Sequence, residues 1–183
     1  MTRAAPRFED VYAAHFDFVW RTLARLGVPA SHLEDAAQDV FVVVHRRLAT
    51  FEGRSKITTW LFAICYRVAS GRRNRACHRR EIADGERFEE RPGRTPDPLA
   101  RCETRELLRR LEGILGSMTP EQRGVFVMFE LEGLAGDAIA EALELPLPTV
   151  HSRLRLARAA FRRAVERQGA SERRLELRRG LAR

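Results

Sequence analysis

The chain has 183 residues, a formal net charge of +8 and 44% hydrophobic residues. That is enough apolar content for one ordinary domain or two small ones, and too much for disorder throughout. The positive charge is almost all arginine, since Lys56 is the sole lysine. Such a surface fits a polyanion, and arginine's bidentate reach to phosphate and guanine favours nucleic acid, although a GC-rich genome produces the same bias. Cys65, Cys77 and Cys102 are an odd set without CxxC spacing, and no signal peptide or long apolar run accompanies them. The expectation is a cytoplasmic protein with no membrane insertion. Cys77-His78 has no second ligand pair at zinc spacing, so neither metal nor cofactor is expected.

In chain order, Val11, Phe16, Val19, Leu23 and Leu26 recur at helical spacing from Phe8 onward, and Gly27 and Pro29 end that helix. Ser31 and Glu34 have capping-box spacing, which predicts a second helix to about Leu48. A loop from Thr50 to Ser55 leads to a third helix, capped by Thr58 or Thr59 and carrying Trp60, Leu61, Ile64 and Val68. The three helices are expected to share one core. From His78 to Thr104 the periodicity fails, Pro92, Pro96 and Pro98 appear, and the charges nearly cancel, as in an extended linker. Helices are then expected over about 105–118, 121–131, 136–143 and 148–168, the second started by the Thr119-Pro120-Glu121-Gln122 cap. No strand alternation or internal repeat appears, so the fold class is all-α.

The last two helices have helix-turn-helix spacing, with Glu144-Leu145-Pro146-Leu147 as the turn. Ile139, Leu143, Leu145, Val150 and Leu154 would form the small core, leaving Thr149, His151, Ser152, Arg153 and Arg155 on other faces. Residues 105–147 carry four basic and eight acidic side chains, whereas 148–183 carry eleven basic and three acidic, so positive charge begins where the second helix begins. The pattern points to a recognition helix in a major groove, with Arg155, Arg158, Arg162 and Arg163 on phosphates. A solvated basic helix is the plainer alternative.

The helix after Ser31 carries Asp35, Gln38, Asp39, Val42 and Arg46 on one stripe, opposite Ala37, Phe41, Val44 and Leu48. Taken alone, an acidic stripe is either a solvent face or an interface. The next segment, Phe51 to Ile64, is an aromatic-flanked polar loop leading into a helix that ends in Arg67, Arg72, Arg73 and Arg75.

With these segments in view, the chain resembles the extracytoplasmic-function (ECF) group of bacterial RNA polymerase sigma factors, within the sigma-70 family. Asp35 to Phe41 matches the group's D-x-x-Q-E-V-F segment, Phe51 to Leu61 its F-x-G-x-S-x-x-x-T-W-L stretch, and Met118 to Phe126 its L-P-x-x-x-R-x-V-F segment. Glu132-Gly133-Leu134, Ile139-Ala140 and Thr149 to Arg158 match the run that closes the family pattern. Four strings in the right order, across a linker of suitable length, make a strong signal.

The resemblance implies region 2 at 1–77, a linker at 78–104, region 4 at 105–168 and a basic tail at 169–183. It implies two helical domains, the second a helix-turn-helix, and a non-enzymatic factor that starts transcription. Asp35, Gln38, Asp39 and Val42 would dock on the β′ clamp of core RNA polymerase, and the β flap would be a second polymerase contact. Phe51, Arg54, Ser55, Lys56, Trp60, Arg67, Arg72 and Arg73 would recognise and open the -10 element of promoter DNA, capturing an unstacked base. Thr149, His151, Ser152, Arg153, Arg155 and Arg158 would read the -35 element. An anti-sigma factor is a further implied partner.

Some positions depart from the pattern. Arg67 and Gly71 stand where many members have Asn and Asp, so the -10 preference does not carry over. Gly136 replaces a common aromatic, which predicts looser packing before the helix-turn-helix. Pro148 replaces a common Gly, with a φ that suits a first helical turn, and His151 replaces a common Lys. Two other classes stay in view. A dimeric operator-binding regulator would leave the acidic stripe and the Phe51 to Trp60 loop without work. An enzyme would need a phosphate loop, metal cluster or nucleophile-base pattern that the sequence lacks.

Overall fold

The computed structural model describes the backbone of residues 6–79 and 98–181 and the side chains of residues 6–73 and 107–170. Among the described residues every regular element is helical. The order is α1 (Phe8–Arg25), α2 (Leu33–Arg47), α3 (Ile57–Arg79), α4 (Pro98–Gly116), α5 (Pro120–Phe126), α6 (Gly136–Leu143) and α7 (Leu147–Leu181). No helix among them is long and apolar enough to cross a membrane.

Helix α1 ends as its glycine dictates. Gly27 takes φ +88, and the Gly27 and Val28 amides donate back to the Ala24 and Leu23 carbonyls at 2.8 and 3.1 Å, a Schellman-type closure. Helix α2 then buries Leu33, Ala36, Ala37, Val40, Phe41 and Val44, one stripe at 3.6-residue spacing. Its start differs from expectation. Ala30–His32 form a 3₁₀ turn, His32 occupies the cap position without a side-chain bond, and the Ser31 hydroxyl lies 3.1 Å from the His32 ring instead. The short 3₁₀ turn carries the chain into the helix, so His32 and not Ser31 stands at the cap position of α2.

Helix α3 also begins earlier than its threonines suggest. The Thr59 and Trp60 amides donate to the Lys56 carbonyl, so Lys56 caps the helix, and Thr59 is buried inside its first turn. Leu61, Phe62, Ala63, Ile64 and Cys65 are all buried in succession, which requires neighbours on every side rather than one. Helix α3 has them, because it packs on α1 and α2 and also contacts α6 of the second module.

The second module wraps on α7. Helices α4, α5 and α6 each pack against it, and its small residues Ala157, Ala160 and Ala164 let them approach closely, with Phe126 stacked on Phe161 at 5.3 Å. The Thr119 box is fully formed: its hydroxyl accepts from the Gln122 amide, and the Gln122 side chain accepts from the Thr119 amide. Helix α5 relaxes into a π turn over Val127–Leu131, and Gly133 at φ +65 turns the chain toward α6. Ile139, Val150 and Leu154 are buried and Leu143 and Leu145 pack against them, the small core expected of the helix-turn-helix.

Two boundaries extend beyond the sequence reading: α4 starts at Pro98 rather than near 105, and α3 runs on to Arg79. The basic tail after Gly169 continues α7 as helix to Leu181. Of the expected 78–104 linker, residues 80–97 lie outside the described residues. The packing before α6 is not loose: a Cβ on Gly136 would stand 3.3 Å from both the His151 ring and Leu147 Cδ1, which occupy that space. The buried residues of both modules form one continuous cluster.

Candidate nucleic-acid interface

The outward face of α2 presents Asp35 and Gln38 to solvent and Val42 at 48% exposure, opposite its buried stripe. Asp39 shares this face but is half-buried, because Arg72 of α3 donates to its carboxylate through Nε at 2.9 Å and Nη2 at 2.6 Å. One side chain assigned to a protein partner and one assigned to DNA are therefore joined.

The loop between α2 and α3 is built on a ring pair. Phe51 and Trp60, both half-buried, lie 5.2 Å apart at 45°, which fixes the two ends of the loop against each other. Between them Gly53 takes φ +70 in open space, Arg54 pairs with Glu52 at 2.6 Å, Lys56 is exposed and Ser55 is half-buried. Aromatic faces beside an open polar loop can receive an unstacked base.

The α3 arginines diverge. Arg67 turns toward the second module, donating to Glu144 at 2.6 Å and to the Ala142 carbonyl at 3.5 Å. Arg73 donates to the Leu26 carbonyl at 3.0 Å and the Ser70 hydroxyl at 3.1 Å, capping the end of α1. Arg75 lies outside the residues whose side chains are described. Only Arg54 sits on the loop itself, so the expected -10 arginines do not form one patch.

On α7, His151, Ser152 and Arg155 are exposed at the first two turns, while Thr149 and Arg153 are half-buried. The Ser152 hydroxyl donates to the Thr149 carbonyl at 3.0 Å. Arg158 is held within its own module: Nε donates to Glu130 at 2.7 Å, and the guanidinium lies 5.1 Å from the centre of the Phe129 ring. Arg158 is therefore already paired, while Arg155, Arg162 and Arg163 stay exposed along the same helix.

Helix α6 ends on Glu144, the one non-glycine residue at positive φ (+55) among those described. Its backbone lets the Leu145 amide reach the Ala140 carbonyl at 2.9 Å and swings the chain into α7. The strain of a left-handed residue, about 1 kcal/mol, is local to the turn.

The sequence reading assigned no role to Arg123. Its Nε donates to the Arg25 carbonyl and its Nη2 to the Ala24 carbonyl at 3.2 Å, so α5 of one module caps α1 of the other. Burial lowers this guanidinium to about 10, opposed by Glu112 and aided by Arg73, and it remains charged at neutral pH. Its partner lies 98 residues away in the chain, so no local sequence signal points to it. Among the described residues no group of His, Cys, Asp or Glu could hold a metal ion.

Comparison with known proteins follows the same division. Residues 11–76 match the family model of Sigma-70 region 2, and residues 108–161 match that of Sigma-70, region 4. The ECF RNA polymerase sigma factor SigE of Mycolicibacterium smegmatis is 32% identical over 165 residues, which is 87% of this chain and 62% of that protein. The chain thus spans under two thirds of that relative. The ECF RNA polymerase sigma-E factor of Escherichia coli is 31% identical over 149 residues, 76% of each. Among solved structures, the sigma factor RpoE of Bartonella quintana, in complex with the anti-sigma factor NepR, has a TM-score of 0.67 at 17% identity, over 87% of this chain and 96% of that one. CnrH, in complex with the cytosolic domain of CnrY, has a TM-score of 0.59 at 23% identity, over 87% of each. At these identities the two structures speak for the fold alone.

Proposed function

The chain belongs to the extracytoplasmic-function sigma factors of the sigma-70 family, and from that premise we propose that it is a promoter-specificity factor. It binds core RNA polymerase, carries it to promoters by recognising -35 and -10 elements, and performs no chemistry of its own. The single observation that carries this reading is the separation of two unlike faces on two modules. Helix α2 turns Asp35, Gln38 and Val42 outward, whereas α7 turns His151, Ser152 and Arg155 outward. Carboxylates with an exposed valine suit a basic protein surface, and a helix-turn-helix with exposed arginine suits a duplex.

The β′ clamp is the partner proposed for the α2 face. For the β flap, the candidate is an apolar groove of ≈330 Å³ in the second module, lined by Leu111, Phe126, Leu131 and Phe161. An anti-sigma factor, as bound to the structural neighbour from Bartonella quintana, is the proposed regulator, in a stress or envelope response. Phe51 and Trp60 are proposed to receive the unstacked -10 base. Arg54, Ser55, Lys56, Arg67, Arg72 and Arg73 are proposed to hold the strand around it, and Thr149, His151, Ser152, Arg153, Arg155 and Arg158 to engage the -35 duplex.

Reconstitution tests this directly. Core polymerase with the full chain should start transcription at promoters of genes whose transcripts appear on overexpression. Asp35→Lys should abolish core binding and leave the helical spectrum intact. Tight operator binding by the chain alone, with no affinity for core polymerase, would overturn the reading in favour of a dimeric regulator.

A further inference from the structure

Helix α7 buries Val150, Leu154 and Ala157 and turns the opposite side of its first turns outward. Leu156 lies with that outward side. It is 44% exposed and stands outside the apolar core, although Leu154 and Ala157 close to it in the chain are both buried. A single leucine on a protein surface needs no explanation in itself. Its position on this helix gives it one.

Thr149, Ser152, Arg153 and Leu156 follow one another at intervals that return to the same side of a helix, so they form one stripe. The stripe is about 10 Å long at 1.5 Å per residue, the length of roughly three base pairs. It runs from the N-terminal end of the helix proposed to enter the major groove, and it ends on an apolar group. The Ser152 hydroxyl donates to the Thr149 carbonyl at 3.0 Å, so the middle of the stripe has one donor fewer to offer a base edge. Arg155 is exposed beside Leu156 but lies on a neighbouring line of the helix, about 100° round.

Base edges in the major groove are donors and acceptors, and the C5-methyl group of thymine is the apolar exception. A leucine set against the edge of guanine or the cytosine amine strips water from a polar group and returns no hydrogen bond. Against a thymine methyl it buries apolar surface on both sides. Attraction to one base and a penalty against others together make a discriminating contact.

We propose that Leu156 is a specificity-determining residue, which reads the C5-methyl group of a thymine in the -35 element by apolar contact. The inference rests on the sigma-factor reading above, with α7 in the groove. It adds to the polar side chains of α7 one that distinguishes bases without a hydrogen bond.

Promoter duplexes with a randomised -35 element, retained by core polymerase carrying the full chain and then sequenced, should be enriched in thymine at one position or more. Deoxyuridine at that thymine removes only the methyl group and should weaken retention about fourfold, as expected for one methyl group returned to water. Leu156→Ala places a good helix former at an exposed position, so the fold is spared. This variant should bind the thymine and deoxyuridine duplexes alike. Leu156→Met keeps an apolar side chain of similar volume and should keep the difference.

An element without an enriched thymine, or equal binding of thymine and deoxyuridine at every enriched position, would overturn the proposal. So would a difference that survives in Leu156→Ala, or a loss in that variant that is the same on every sequence, which would assign the leucine to a protein surface. A wild-type chain that retains no promoter sequence with core polymerase fails as a sigma factor, and the contact falls with it. Selective retention without a methyl effect leaves the sigma-factor reading standing and removes this contact alone.

Discussion

Arg72 donates twice to one oxygen of Asp39, at 2.9 and 2.6 Å, and so ties the helix proposed to meet the -10 strand to the helix proposed to meet polymerase. The pair is neither buried nor free, with the arginine 23% and the carboxylate 48% exposed. Solvent screening keeps its contribution to stability small, under about 1 kcal/mol. Its consequence is competition: a basic group that engages Asp39 releases Arg72.

Asp39→Asn is therefore expected to weaken core binding and, independently, to strengthen contact with nucleic acid. Titration of a mixed-sequence duplex at several salt concentrations should show a slope steeper by about one released counterion. An unchanged slope would mean that Arg72 does not reach phosphate even when unpaired.

Arg155 and Arg158 should separate in their effects. Arg155 is exposed, and Arg155→Ala is expected to cost about 1 to 3 kcal/mol of -35 binding if it meets a base edge. Arg158 is engaged by Glu130 and Phe129. Arg158→Ala should instead lower unfolding stability by up to about 1 kcal/mol and weaken -35 binding about equally on every promoter sequence, as loss of a phosphate contact does. Urea denaturation and promoter-variant binding, run side by side, distinguish the two.

Thr22 sits on the buried face of α1 and its hydroxyl has no hydrogen-bond partner. Thr22→Val keeps the shape and removes the unpaired group, so the urea midpoint should rise by an amount equivalent to about 1 to 2 kcal/mol. A loss of stability would indicate that a water satisfies the hydroxyl.

Cys65 is fully buried, and desolvation raises its thiol well above the ordinary range. The thiolate is the reactive form, so alkylation at neutral pH should leave Cys65 untouched in the folded chain and modify it after denaturation. Peptide mapping by mass spectrometry reads both states.

Local rules made most of the helices legible. Gly27 and Pro29 end α1, Thr119 with Gln122 starts α5, and the alternation of Ile139, Leu143, Val150 and Leu154 outlines the helix-turn-helix, because each signal acts within a turn or two of chain. The Ser31-Glu34 spacing was the same kind of signal, yet a 3₁₀ turn intervenes. A capping pattern states which side chains could bond, not how the preceding turn delivers them. The start of α3 at Ile57 escaped for a related reason, since threonines are tolerated inside a helix whose packing supports them.

The proposed site was legible as residue types and faces, but not as pairings. Asp35, Gln38 and Val42 are outward on α2 because burial of Ala36, Val40 and Val44 leaves them no other side, and helical periodicity alone determined that. Which arginine is available to a phosphate depends on the nearest carboxylate or carbonyl in space: Asp39 for Arg72, Glu144 for Arg67, Glu130 for Arg158, and the end of α1 for Arg123. Amino-acid order by itself determined the two helical modules, their outward faces and the family, because those follow from short-range spacing. Only the tertiary structure decided that the modules close on one another, because charge pairing and the fit of a tyrosine ring on Gly124 are set by distance across the fold.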